Sequence, residues 1–209
     1  MKIIIVGAGI SGLCTYLFLQ KYCKDKVPLD IIIYESYDPT KKVDIADFTF
    51  NELSASATAI VGGGIGLMPN GLRVLSALDE KVHDKARDGG FVCHTFEFRS
   101  ARGWHLGNSS CGDMRGKPGW PAGKEEFCVS MSRHNLWDAL RAELDPKKIV
   151  YKTVVSVQKA IPTENKKASV TFQDGQVEEA DLIIGADGVR SKVREAIFGD
   201  DRDTDAVYE

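Results

Sequence analysis

The stretch Lys2-Ile-Ile-Ile-Val-Gly-Ala-Gly-Ile-Ser-Gly12, read with the acid of Tyr34-Glu35 that closes the next apolar run, decides how the rest of the chain is interpreted. Residues 3–6 are continuously apolar and β-branched, the pattern of a parallel strand buried on both faces. Gly7, Gly9 and Gly12 follow at G-x-G-x-x-G spacing. In that pattern the first glycine allows a tight turn, the second lets a pyrophosphate approach the backbone, and the third lets the next helix press against the strand. Free N–H groups at the start of that helix face the phosphates. The helix is predicted over residues 11–22, with Lys21, Lys24 and Lys26 crowding the end that suits positive charge. Residues 29–34 make a second strand, and Glu35 stands at its carboxyl end, about 20 residues past the last glycine. An acid there accepts hydrogen bonds from ribose hydroxyls and repels a 2′-phosphate. The adenosine so predicted is that of FAD or NAD, not NADP.

At 209 residues the chain can bury one sizeable core, or one domain with part of another. Its 43% hydrophobic and 27% charged residues are ordinary for a globular protein. A net charge of −3 gives no broad basic surface, so nucleic acid is not an expected partner. Cys14, Cys23, Cys93, Cys111 and Cys128 form no C-x-x-C pair and have no histidine at ligand spacing. No metal is therefore expected, and reduced thiols suggest a cytoplasmic protein. No run approaches the ~20 apolar residues of a membrane span. The apolar run behind Lys2 is interrupted by glycines too early to serve as a secretory signal.

Between about residues 41 and 130 the βαβ rhythm breaks down. Residues 44–59 are mixed and polar, and residues 60–70 carry three consecutive glycines and then Gly66, so backbone there passes close to something or takes positive φ. A short helix is predicted over 72–78, with Leu72, Leu75 and Leu78 on one face. Residues 91–99 alternate like a strand carrying one slip in phase, and 104–106 return after a turn. Residues 108–126 are rich in Gly and Pro and read as a loop, either a substrate-side lid or an exposed connection. His94 and His105 read as ordinary sheet residues, since no catalytic partner is visible. A strand over 127–131 leads to Ser132, which caps a helix over 133–144 with the stripe Leu136, Leu140 and Leu144. Residues 150–157, 168–172 and the run after the Asp174-Gly175 turn form a three-stranded meander.

Residues 181–185 again read as a buried parallel strand, followed by Ala186-Asp-Gly-Val-Arg-Ser191 and a helix over 191–198. The Asp187-Gly188 turn thus falls at the same sheet rim as Gly7, Gly12 and Glu35, where open α/β sheets bind ligands. Gly185-Ala-Asp-Gly-Val-Arg-Ser-Lys-Val-Arg194, together with the glycine fingerprint, Glu35, Gly64-Ile-Gly-Leu-Met-Pro-Asn-Gly-Leu-Arg73 and Ser132-Arg133, resembles the group A FAD-dependent monooxygenases, the aromatic hydroxylases similar to salicylate and 4-hydroxybenzoate hydroxylases.

The resemblance implies an α/β, Rossmann-like FAD-binding fold of the glutathione-reductase type, with a β-meander and part of a substrate-domain sheet. Residues 1–40 and 132–209 would form the FAD-binding domain, and 41–131 an inserted segment with the cofactor-facing glycines and part of the substrate domain. It further implies that Gly7, Gly9, Ser11 and Gly12 hold the FAD pyrophosphate and Glu35 the ribose. Gly66 brings backbone near the cofactor, Arg133 reaches it from the head of a helix, Val154 touches adenine through its backbone, and Asp187 supports FAD and a passing NADPH or NADH. The bland alternatives are a surface ion pair for Arg133 and a turn-forming role for Asp187. The implied reaction is hydroxylation of an aromatic or enolic small molecule with dioxygen through a flavin hydroperoxide. Alternatives are an epoxidase or reductase on the same fold, or a non-catalytic nucleotide-binding module. Family members are roughly twice as long and carry a later Gly-Asp motif that this sequence lacks, so the chain reads as the N-terminal, FAD-binding portion of such an enzyme, inactive by itself.

Overall fold

The structure, a computed structural model, describes residues 1–38, 63–161 and 166–199. The polar stretch 44–59, the start of the glycine run at 60–62, the turn at 162–165 and the charged tail 200–209 lie outside the described residues. The chain divides into two units, one of Met1–Thr49 with Arg141–Glu209 and one of Phe50–Leu140.

The first unit opens with strand β1 (Lys2–Val6), helix α1 (Ile10–Tyr22) and strand β2 (Asp30–Glu35). Ile3, Ile4 and Ile5 are wholly buried, as their unbroken apolar run requires of a strand covered on both faces. Each such side chain contributes roughly 1.5–3 kcal/mol of burial. Gly12, Leu13 and Tyr16 form the buried side of α1.

The second unit holds β3 (Gly64–Leu67), α2 (Pro69–Leu78), α3 (Glu80–Asp88), β4 (Phe91–Cys93), β5 (Thr95–Arg99), β6 (His105–Ser110), β7 (Cys128–Ser132) and most of α4 (Arg133–Arg141). Pro69 starts α2, and the predicted face of Leu72, Leu75 and Leu78 is buried. Helix α3 was not expected, because only Val82, His83 and Ala86 turn inward from an otherwise charged sequence. Its start is capped by Asp79, whose carboxylate accepts the Lys81 N–H at 2.7 Å. The phase slip in 91–99 is a break between two strands: β4 pairs antiparallel with β7, whereas β5 pairs with β6. Helix α4 ends three residues earlier than predicted. The chain turns there, the Leu144 N–H reaching the Arg141 carbonyl, yet Leu136, Leu140 and Leu144 are all buried.

A polar network ties the 111–127 connection to both short helices. Arg73 on α2 donates from Nε and Nη2 to Asp113 at 3.1 and 2.9 Å, and from Nη2 to the Lys124 carbonyl at 2.5 Å. Glu126, itself buried, lies 3.2 Å from His83 Nε2 and 3.8 Å from Arg73. Burial alone would raise the Asp113 carboxyl, but Arg73 and the N–H groups of Glu126 and Arg115 outweigh it and hold the group below the usual aspartate range.

The chain then returns to the first unit with β8 (Ile149–Tyr151), β9 (Val154–Gln158), β10 (Ala168–Phe172), β11 (Val177–Ala180), β12 (Leu182–Gly185) and α5 (Lys192–Phe198). The parallel sheet runs β12-β1-β2-β8, with Val6 between Gly185 and Tyr34, and Glu35 beside Tyr151. The run 150–157, predicted as one strand, is two. A turn at Lys152 lets β8 complete the parallel sheet, while β9 joins β10 and β11 in the antiparallel meander. Val170, Phe172 and Ala180 of the meander share one core with Ile4, Val6, Tyr34 and Val193.

Candidate functional site

The rim formed by the carboxyl ends of the parallel strands is built on obligatory glycines. Gly7 adopts φ +101° and donates its N–H to the Tyr34 carbonyl at 2.8 Å. A Cβ on Gly7 would stand 2.4 Å from the Ala186 carbonyl oxygen, and one on Gly12 only 1.9 Å from that of Gly7. Gly9 differs, since a Cβ there meets nothing within 4 Å. Helix α1 starts from Gly9 with no side-chain cap and no acid in its first turn, and Ser11 is exposed there. Among the described residues no side chain caps the first amides of the helix itself, which leaves them suited to an anion.

Glu35 reaches back to this turn. Its Oε2 accepts the Ala8 N–H at 2.7 Å, and its Oε1 accepts the Tyr37 N–H at 2.9 Å and the Ser36 hydroxyl at 3.1 Å. A carboxylate offers about four lone-pair sites, and among the described residues three of them are engaged. Beside it is a cavity of about 220 Å³ lined by Ser36, Asp38, Tyr151, Lys152, Thr153 and Phe172, among others. Sequence reasoning missed this cavity, since it exists only because β8 lies next to β2. Val154, half-buried, begins β9 directly after Thr153.

Asp187 sits at the same rim, after β12, and both of its oxygens are engaged by its own chain. Oδ1 accepts the Ser191 hydroxyl at 2.6 Å, and Oδ2 accepts the Lys192 and Val193 N–H groups at 2.6 and 3.2 Å. These bonds shape the Asp187-Gly188 turn, with Gly188 at φ +75°, and fix the start of α5.

Gly66 and Arg133 belong to the second unit. Gly66 lies exposed in β3, opposite Ser130 of β7. Arg133 heads α4, its N–H donated to the Gly63 carbonyl at 2.8 Å, and its side chain is half-buried. No acceptor is paired with its guanidinium among the described residues, so the surface ion pair is not seen there. A cavity of about 580 Å³ opens next to it, walled by Gly63, Gly64, Gly89, Gly90, Phe91 and Ser132, among others.

No family model matches the chain. Individual proteins do. The FAD-dependent monooxygenase pigN of Monascus ruber is 33% identical over 144 residues, 68% of this chain and 32% of that protein. The 6-methylsalicylate 1-monooxygenase of Aspergillus terreus is 25% identical over 203 residues, 96% of this chain and 40% of that protein. Among solved structures, 2-methyl-3-hydroxypyridine-5-carboxylic acid oxygenase superposes with a TM-score of 0.61 at 27% identity, covering 94% of this chain and 42% of its own. The α/β fold is that of the FAD-binding domains of flavin monooxygenases. The chain spans between 32% and 40% of the length of these two curated relatives. Among the described residues, no helix is long and apolar enough to cross a membrane.

Proposed function

Because this chain belongs to the group A FAD-dependent monooxygenase family, we propose that it is the FAD-binding portion of an NAD(P)H-using enzyme that hydroxylates an aromatic or related electron-rich small molecule with dioxygen. The observation that carries the cofactor reading is the bare start of α1, open at Gly9 and flanked by the Glu35 carboxylate fixed to Ala8. A flavin dinucleotide fits that chemistry: a diphosphate for the uncapped helix, and a ribose for the acid.

In this reading the amides around Gly7, Gly9, Ser11 and Gly12 hold the pyrophosphate, and Glu35 accepts from a ribose hydroxyl. The neighbouring cavity takes the adenosine end, with the backbone of Val154 close to it. The Asp187-Gly188 turn supports the dinucleotide through its backbone, because the Asp187 carboxylate is already committed to its own turn. Arg133 offers a fixed charge and a fork of donors, and Gly66 an unobstructed stretch of backbone. When bound, the flavin supplies the redox chemistry with electrons from a nicotinamide donor, while the protein binds, orients and excludes water. Five unpaired cysteines fit a reducing, cytoplasmic setting.

Two measurements test the proposal. Titration of the purified chain with FAD, followed by flavin fluorescence, is expected to show saturable binding that Glu35→Ala weakens, and no hydroxylation by this chain alone. Absence of any binding overturns the cofactor reading. For a full-length protein, NAD(P)H oxidation coupled to oxygen uptake in the presence of phenolic acids is the expected result; nicotinamide oxidation without oxygen uptake would favour a reductase instead.

A further inference from the structure

Three of the five cysteines, distant in sequence, converge in the second unit. Cys93 ends β4 and stands directly across from Cys128, the first residue of β7, in antiparallel register. The Cys128 N–H donates to the Cys111 carbonyl at 3.0 Å, and the Cys111 N–H to the carbonyl of His94, the neighbour of Cys93, at 3.0 Å. Directly opposed residues of an antiparallel pair have Cα atoms about 4.5–5.5 Å apart, inside the ~4.4–6.8 Å that a disulfide spans. The register therefore selects Cys93 and Cys128 as the pair that can close with little backbone movement.

The three thiols are not equivalent. Cys111 and Cys128 are 1% and 3% exposed, whereas Cys93 is half-buried and within reach of solvent. Burial pushes the Cys128 and Cys111 thiols up, and the nearby Cys93 sulfur pushes both further. Thiols so placed keep their protons and react slowly with solutes, which leaves Cys93 as the sulfur an oxidant meets first.

We propose that Cys93 and Cys128 form a redox-modification site, at which hydrogen peroxide oxidises Cys93 and Cys128 then closes a cross-strand disulfide. In the first step the Cys93 thiolate attacks one peroxide oxygen. The O–O bond breaks, hydroxide leaves and takes up a proton as water, and Cys93 becomes a sulfenic acid. In the second step the Cys128 sulfur attacks the Cys93 sulfur. The S–S bond forms, the S–O bond breaks, and the departing hydroxyl leaves with the Cys128 proton as a second water. Two thiols have then given two electrons to one peroxide, and a dithiol reductant reverses the change. The bond ties β4 to β7 at the point where the chain leaves that sheet for the β5–β6 hairpin, so it locks the divergence of the two sheets.

Peptide mapping tests this directly. The folded, reduced 209-residue chain is treated with hydrogen peroxide, its remaining thiols are blocked in denaturant with iodoacetamide, and it is digested with trypsin without reductant. Lysines and arginines place Cys93 in 88–99, Cys111 in 103–115 and Cys128 in 125–133, three separate peptides. The expected product is 88–99 joined to 125–133, lost on treatment with dithiothreitol, with Cys14, Cys23 and Cys111 alkylated. In Cys128→Ala, Cys93 is expected to run on to the sulfinic acid without a cross-link. A Cys93–Cys111 bond, a Cys93 that stays alkylatable in either protein, or a cross-link formed equally well in urea would overturn the proposal.

Discussion

The Ala8 N–H donates to Glu35 Oε2 at 2.7 Å, so the carboxylate that ends β2 fastens the turn that ends β1. The acid reaches this position because β1 and β2 run parallel and in step, Val6 lying beside Tyr34. One side chain thus does two things. It closes the glycine turn over the sheet, and it holds Ser36 and Tyr37, the first of which lines the 220 Å³ cavity.

Replacing Glu35 should therefore affect the fold and the ligand to different degrees. Glu35→Gln keeps an oxygen acceptor but loses the charge, and FAD affinity is expected to fall about tenfold, in line with ~1.5 kcal/mol for a charge-assisted bond. Glu35→Ala removes every acceptor and is expected to cost about a hundredfold. Fluorescence titration measures the affinities, and circular dichroism melts report the loss of the Ala8 and Tyr37 bonds. Equal affinities for all three proteins would remove Glu35 from the site.

The glycines separate folding from binding more sharply. A methyl group on Gly12 would sit 1.9 Å from the Gly7 carbonyl oxygen, so Gly12→Ala must push α1 away from the sheet. Loss of several kcal/mol, read as a much lower melting temperature or insoluble expression, is expected. Gly9, at φ −69° with no atom within 4 Å of an added Cβ, tolerates alanine in the fold. Gly9→Ala is expected to melt within about 0.5–1 kcal/mol of the native chain, while binding FAD at least tenfold more weakly. If Gly9→Ala leaves binding untouched, the pyrophosphate does not lie over that residue.

Sequence reasoning reached β1, α1, β2 and the Asp187-Gly188 turn because each is decided by neighbours in the chain: apolar runs, glycine spacing, a capping serine. It saw the phase slip near His94 without its meaning, since only the pairing partners reveal that β4 and β5 belong to different sheets. Helix α3 escaped notice because three inward residues among nine make too faint a stripe. The Arg73–Asp113 pair joins residues 40 apart and carries no periodicity at all. Asp113 carries no sequence signal of its own, and its place as an anchor for a connection rich in Gly and Pro emerges only from its bonds to Arg73 and the Glu126 N–H.

That anchor makes the second unit sensitive to acid. The folded Asp113 carboxyl lies below its ordinary value, so its stabilisation is fully present above the unfolded value of about 3.9 and is lost as the pH falls through the lower folded value. Urea denaturation at a series of pH values from 6 to 2.5 is expected to show stability declining below about pH 4. Arg73→Leu removes the guanidinium that depresses Asp113, lowers stability at pH 6, and flattens the acid decline. An unchanged acid limb in Arg73→Leu would mean that other carboxylates set it.

Asp187 gives the clearest contrast between acting on a ligand and acting on its own chain. Its carboxylate accepts from Ser191, Lys192 and Val193, and a Cβ on Gly185 would stand 2.7 Å from that of Val193. The start of α5 is thus pulled tightly against the end of β12. Asp187→Ala strands two backbone donors and a hydroxyl, and a loss of about 2–3 kcal/mol in stability without any ligand present is expected. Asp187→Asn retains an oxygen for the two N–H groups and is expected to lose less than half of that. Flavin affinity should follow stability through the pair if, as proposed, the turn's backbone rather than the carboxylate meets the dinucleotide. A Asp187→Asn protein that melts like the native chain yet has lost flavin binding would instead put the carboxylate itself on the cofactor.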